Sequence, residues 1–221
     1  MNATKTIFET DLGEISFSAL VKTLEADDWH APDSLQAMYF EDFGWSDLEI
    51  GPWASGTGAA ARVQGKVRSM EMVVPVPPQP MCPKETRVTS TWHVVTSPDK
   101  VVMESVVMSL DVPYGTSFNV IKCDTFTYDP VSGHTLLVRT VALEWLKSCW
   151  VQSMVEFQVP IEVTKDAHRW AGTTIARWAK QQHDGEEFES PRELSNLSDK
   201  REVVDSKGAK PRKTSNNLGI L

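Results

Sequence analysis

Five strand-length runs joined by short turns, followed by one abrupt change of hydrophobic period, restrict this chain to few folds. The runs are Ala60–Val76, Thr86–Thr96, Lys100–Val112, Phe118–Tyr128 and His134–Leu146, with Ser97-Pro98-Asp99 and Asp129–His134 as two of the turns. Connections this short favour antiparallel hairpins, because a parallel crossover needs a dozen or more residues. From Cys149 the period changes from two to about 3.6 residues. Met154, Phe157, Ile161, Thr164, Ala167, Ala171, Thr174 and Trp178 then recur at helical spacing, and Pro160 is expected to kink or restart the helix. The pattern predicts an α+β helix-grip fold, a curved antiparallel sheet wrapped around a long C-terminal helix over 149–182.

Upstream, Thr6–Phe17 reads as a strand and Ser18 as the N-cap of a helix over 19–28. Pro32 restarts a helix carrying Leu35, Met38 and Tyr39, Phe43–Ile50 turns extended, and Ala54–Gly58 reads as a turn. In the run from Ala60, Arg62, Gln64, Lys66 and Arg68 alternate with Val63, Gly65 and Val67, giving one wet and one packed face. After His183 the chain is polar and aperiodic, which predicts one domain over 6–183 and a disordered tail over 184–221.

A net charge of -8 argues against nucleic acid as a partner, since phosphate binding rests on Lys and Arg. Cys82, Cys123 and Cys149 are odd in number and widely spaced, and the five histidines show no zinc spacing. Neither disulfides nor a metal site is indicated, and a reducing cytoplasmic setting fits. The sequence carries no nucleophile elbow, Walker loop or dinucleotide fingerprint, so no catalytic residues and no cofactor are assigned. Its first residues lack the apolar core of a signal peptide, and no run of eighteen apolar residues occurs.

Two punctuated segments carry a resemblance. Val76-Pro-Pro-Gln-Pro-Met-Cys-Pro-Lys84 precedes two strand runs, and Asp111-Val-Pro-Tyr-Gly-Thr-Ser-Phe118 separates the second of them from the next. Together, in this order, they resemble the VASt domain, the StAR-related module of sterol transporters at membrane contact sites. The likeness spans about Thr6 to His183. The resemblance implies a START-like lipid cavity, with Pro78, Pro80, Met81, Cys82, Pro83 and Lys84 as a lid whose lysine meets headgroups. A rigid loop protecting a sheet edge explains the same prolines. Met70, Met72, Met108, Phe118, Trp145, Met154, Ile161 and Trp170 are the pocket candidates, although spacing alone reads each first as ordinary core and only the resemblance points to a cavity.

The expected function is noncovalent binding of a sterol or related lipid and its transfer between membranes, with transient contact to their surfaces. Two other classes stay open. A START-like aromatase or cyclase would place convergent polar groups inside the cavity. A protein-interaction module would show an interior collapsed around the Met and Trp side chains.

Overall fold

A computed structural model describes residues 4–186 except 32, 59–62 and 79–80. The expected tail lies, from 187 onward, outside the described residues. Eight strands form one antiparallel sheet: β1 (Lys5–Asp11), β2 (Ser46–Ile50), β3 (Ala54–Thr57), β4 (Gln64–Pro75), β5 (Glu85–Ser97), β6 (Lys100–Ser109), β7 (Phe118–Tyr128) and β8 (Thr135–Trp145). Their spatial order is β1-β8-β7-β6-β5-β4-β2, with β3 also on β4. Helices α1 (Phe17–Leu24) and α2 (Leu35–Phe43) lie between β1 and β2 in sequence. After β8 come α3 (Gln152–Arg169), a π-helical segment (Trp170–Ile175) and α4 (Ala176–Glu186). This is the α+β helix-grip arrangement that the sequence pattern predicts.

Local chemistry explains where the boundaries differ from the sequence reading. β1 stops at Asp11 because Asp11 Oδ1 accepts from the Gly13 amide at 2.8 Å and Gly13 adopts a left-handed φ of 72°. The first cap is therefore Ser16, whose Oγ accepts from Ala19 N at 3.3 Å, and α1 begins at Phe17. Ala54–Thr57, read as a turn, is a strand on the first half of β4, while β2 takes the second half. A Cβ on Gly56 would lie 2.8 Å from Val67 Cγ2, so the close β3–β4 approach needs glycine there.

Pro160 does not interrupt α3. It removes a single donor, the one that would reach the Glu156 carbonyl, and Glu156 is exposed, so water can hydrate that carbonyl. The irregularity falls instead at Trp170–Ile175, a wide turn that buries Trp170, Ala171, Thr174 and Ile175. α4 continues to Glu186, a turn into the expected tail.

Cross-strand register defines the concave face. Arg68, Trp92, Ser105, Lys122 and Val141 stand side by side across β4 to β8, and the next row is Met70, Ser90, Val107, Val120 and Leu143. One half of this face is closed. There α1, α2 and the π-helical segment cover it, so that Leu20, Leu24, Leu35, Tyr39, Phe40, Trp170, Ile175 and Trp178 pack with Trp92, Met103, Phe126 and Leu137. Toward the far ends of β6, β7 and β8 the face is less covered, and Val107, Val120, Phe118 and Trp145 are half-buried. The grip thus has a packed blind end and a looser open end.

Candidate functional site

The blind end holds a polar cluster in an apolar setting. On β8 and β7, Arg139 and Asp124 are paired neighbours, with Arg139 Nε donating to Asp124 Oδ1 at 2.5 Å and Nη2 to Oδ2 at 2.6 Å. Both side chains are buried, at 3% and 4% exposure. Burial by itself would lower the Arg139 pKa, but the Asp124 carboxylate outweighs it and holds the guanidinium above its ordinary range. Lys122, one alternation step away on β7, is half-buried, and burial with the nearby Arg139 charge lowers its pKa. Its ammonium has no ion pair or hydrogen bond among the described residues. Tyr39 of α2 completes the group, its phenol pKa raised by burial.

These residues border a partly enclosed cavity of about 20 Å³, together with Gln36, Ser105, Trp92 and Trp170. That is room for about one water, far below a sterol. A second space, an open groove of about 380 Å³, runs between β1 and the C-terminal helices, where Phe8 and His168 meet edge to face at 4.7 Å. Gln36 is committed elsewhere. Its amide donates to the Thr23 and Leu24 carbonyls at 3.2 and 3.1 Å, and its oxygen accepts from Arg68 Nη1 at 3.4 Å. Arg68 lies against the Trp53 ring at 3.9 Å, and burial brings its pKa down to about 10.

The open end is built by three connections at the same end of the sheet. The Asp111 turn is tied to β5: Asp111 accepts from Arg87 N at 2.8 Å and Nη2 at 2.7 Å, and its own amide donates to Thr86 Oγ1 at 3.1 Å. Arg87 holds the Asp111 pKa down at about 2. The sequence suggests Gly115 as the permissive position, yet Tyr114 takes the left-handed conformation, with φ 63°. Glycine is needed at 115 for space, because a Cβ would lie 2.4 Å from the Ser109 carbonyl oxygen. Tyr114 is exposed and accepts a 2.7 Å hydrogen bond from Trp150 Nε1, which ties the turn to the chain entering α3. The segment after β8 is fixed by Ser117 O, which accepts from Leu146 N and Lys147 N at 2.8 and 3.1 Å.

The structure separates the sequence-predicted pocket residues. Met70, Met72 and Trp170 are buried in the core, and Phe118 and Trp145 form a half-buried ring pair at 5.0 Å toward the open end. Met108 pairs with Thr89, out of phase with the concave rows, so it lies on the opposite face of the sheet. Met154 and Ile161 face solvent, at 63% and 38% exposure, alongside Phe157 at 71% and Trp150 at 83%. The physical reason is drift: at about 100° per residue the direction turns by about 140° between Met154 and Ala167. A stripe that looks continuous in sequence therefore leaves the packed face.

In the loop, Pro78, Met81, Pro83 and Lys84 are exposed and Cys82 is half-buried, while Pro80 lies outside the described residues. Val76 N donates to Lys84 O at 2.8 Å, so the loop is the closed tip of the β4–β5 hairpin. Sequence reasoning missed Lys122, Asp124, Arg139 and Tyr39. Its available clue was charge in the apolar phase, since Lys122 and Asp124 point the same way as Val120 and Phe126, and Arg139 the same way as Leu137 and Val141.

The family model of the VASt domain, the VAD1 Analog of StAR-related lipid transfer domain, matches residues 14–160, well over half of the chain. The chain belongs to this family. VASt domains are lipid-binding, and this one presents that function on a helix-grip scaffold. Solved structures of similar chain course include norcoclaurine synthase from Thalictrum flavum in complex with dopamine and hydroxybenzaldehyde. It is 11% identical, covers 79% of this chain and 88% of that one, and has a TM-score of 0.44. Another is major latex-like protein 151 from Panax ginseng, at 11% identity, 76% and 98% coverage and a TM-score of 0.32. A conserved protein from Geobacillus kaustophilus has 9% identity, 76% and 92% coverage and a TM-score of 0.41. Likenesses this weak bear on neither ligand nor chemistry. No helix among the described residues of the VASt chain is long and apolar enough to cross a membrane.

Proposed function

We propose that this VASt domain binds one sterol-like lipid noncovalently between α3 and the concave face and passes it between membranes, with the 76–84 hairpin tip as the lid. The observation that carries the transfer reading is the apolar crown at the open end. Met81, Tyr114, Leu146, Trp150, Met154 and Phe157 are all exposed there, on the three connections and the first turns of the helix that follows them. Exposed apolar groups gathered at one end support an interface. Trp150, joined to Tyr114, suits the headgroup boundary of a bilayer, where amphipathic rings concentrate. Lys84 and Lys147 are exposed at the same end, as an anionic surface requires. Loading a sterol at the blind end demands that α3 lift from the half-buried ends of β7 and β8, because the cavity there has only about 20 Å³.

Transfer of a fluorescent sterol between liposomes tests the reading. Lys84→Glu is expected to slow transfer more on anionic than on neutral liposomes while leaving the unfolding midpoint in place. Equal rates for the variant and parent on both membranes remove the headgroup role of Lys84. The small cavity favours a second reading, a protein-interaction module with a collapsed interior. Native mass spectrometry of the purified protein separates the two, since a bound lipid mass is expected only for the first.

A further inference from the structure

Two donors on residues that line the blind-end cavity are left over. Arg139 Nη1 and Trp170 Nε1 are buried without a hydrogen-bond partner, on residues only 2% and 3% exposed. Lys122 borders the same cavity with no ion pair or hydrogen bond among the described residues, Asp166 and Asp124 acting on it only through space. The acceptors nearby are partly engaged, each carboxylate oxygen keeping a second lone pair, and the Ser105 and Tyr39 hydroxyls at the cavity can donate as well as accept. Each Asp124 oxygen receives one Arg139 nitrogen, and the Gln36 oxygen receives Arg68. A buried donor left unpaired costs about 1–3 kcal/mol, so the cavity favours a group that accepts several hydrogen bonds. A ligand hydroxyl accepts as well, but it brings a single oxygen and no charge to set against Lys122. A carboxylate brings two acceptor oxygens, no donor and a charge that complements Lys122.

We infer that the blind end is a carboxylate pocket, selecting lipids with an acidic head whose apolar body lies toward the open end. The head would sit against Lys122 Nζ, Arg139 Nη1 and Trp170 Nε1. Asp124 would keep Arg139 oriented without contacting the ligand. The inference rests on the lipid-binding reading above and narrows the ligand class within it.

Matched acid and neutral lipids test it on the full chain. Cholesteryl hemisuccinate is compared with cholesterol, and oleic acid with oleyl alcohol, each by displacement of a fluorescent sterol and by direct native mass spectrometry. The acid of each pair is expected to bind about tenfold or more tightly. In Lys122→Met the acid-to-neutral ratio should fall toward one, and in Lys122→Arg it should be largely kept. If acid and neutral lipids bind the parent alike, the carboxylate pocket is refuted while lipid binding stands, and the cavity is a site for water alone. If none of the four binds by either readout, both readings fall. The parent's ratio decides the matter even if a Lys122 variant does not fold.

Discussion

Replacing Asp124 by Asn leaves Arg139 charged and deprived of its counterion in the blind end of the grip. The two groups meet at 2.5 and 2.6 Å, and both side chains are almost fully buried. With charge centres about 4 Å apart and an effective dielectric constant of about 20, their attraction is about 4 kcal/mol. This agrees with the roughly 3–5 kcal/mol lost when one partner of a buried pair is removed. Domains of this kind have about 5–15 kcal/mol of total stability, so the loss is a large share. For a urea m-value of about 2 kcal/mol/M, the midpoint should fall by about 2 M. Urea unfolding followed by tryptophan fluorescence and circular dichroism measures it. The double variant Asp124→Leu/Arg139→Met, which removes both charges at similar volume, should recover most of the loss. If Asp124→Asn costs less than about 1 kcal/mol with an unchanged m-value, the pair is bathed in water. The dry blind end, and the selectivity argued from it, would then have no basis.

The Arg87–Asp111 contact predicts a stability change in acid. Because the Asp111 pKa is lowered from 3.8 to about 2, its contribution is present above about pH 4 and is lost as the pH falls toward 2. Asp111→Asn should flatten the urea midpoint across that window relative to the parent. Gly115→Ala places a methyl group 2.4 Å from the Ser109 carbonyl, and backbone cannot withdraw as a flexible side chain would. A loss of about 1–3 kcal/mol is expected by thermal unfolding. Met154→Asp should change stability by no more than about 0.5 kcal/mol, since this side chain is 63% exposed, yet weaken sedimentation with liposomes. A large loss of stability would return Met154 to the packed interior.

How much of this was legible in the sequence follows from what each residue's neighbours had to be. β5 to β8 follow one another across the sheet, so their alternation could be read locally, and the expected order of hairpins matches the register. β2 and β3 are short strands on the far edge of β4, set by a close approach at Gly56 that no local period announces. α3 was legible as a helix but its buried face was not. Small errors in phase accumulate along a helix, and the side actually covered depends on where α2 and the π-helical segment dock. The same holds for the site. Hydrophobicity identified Met70, Met72 and Trp170 as interior, while at the blind-end cavity the buried groups with unspent hydrogen-bonding capacity are Arg139 and Trp170. A charge on the apolar phase of a strand is costly to bury unless something pairs with it. Asp124 meets that demand for Arg139 directly, whereas Lys122 has no ion pair or hydrogen bond among the described residues and feels Asp166 and Asp124 only through space. That difference between two neighbouring strand positions argues for a ligand's head at the blind end, whereas the apolar crown argues only for where its body enters.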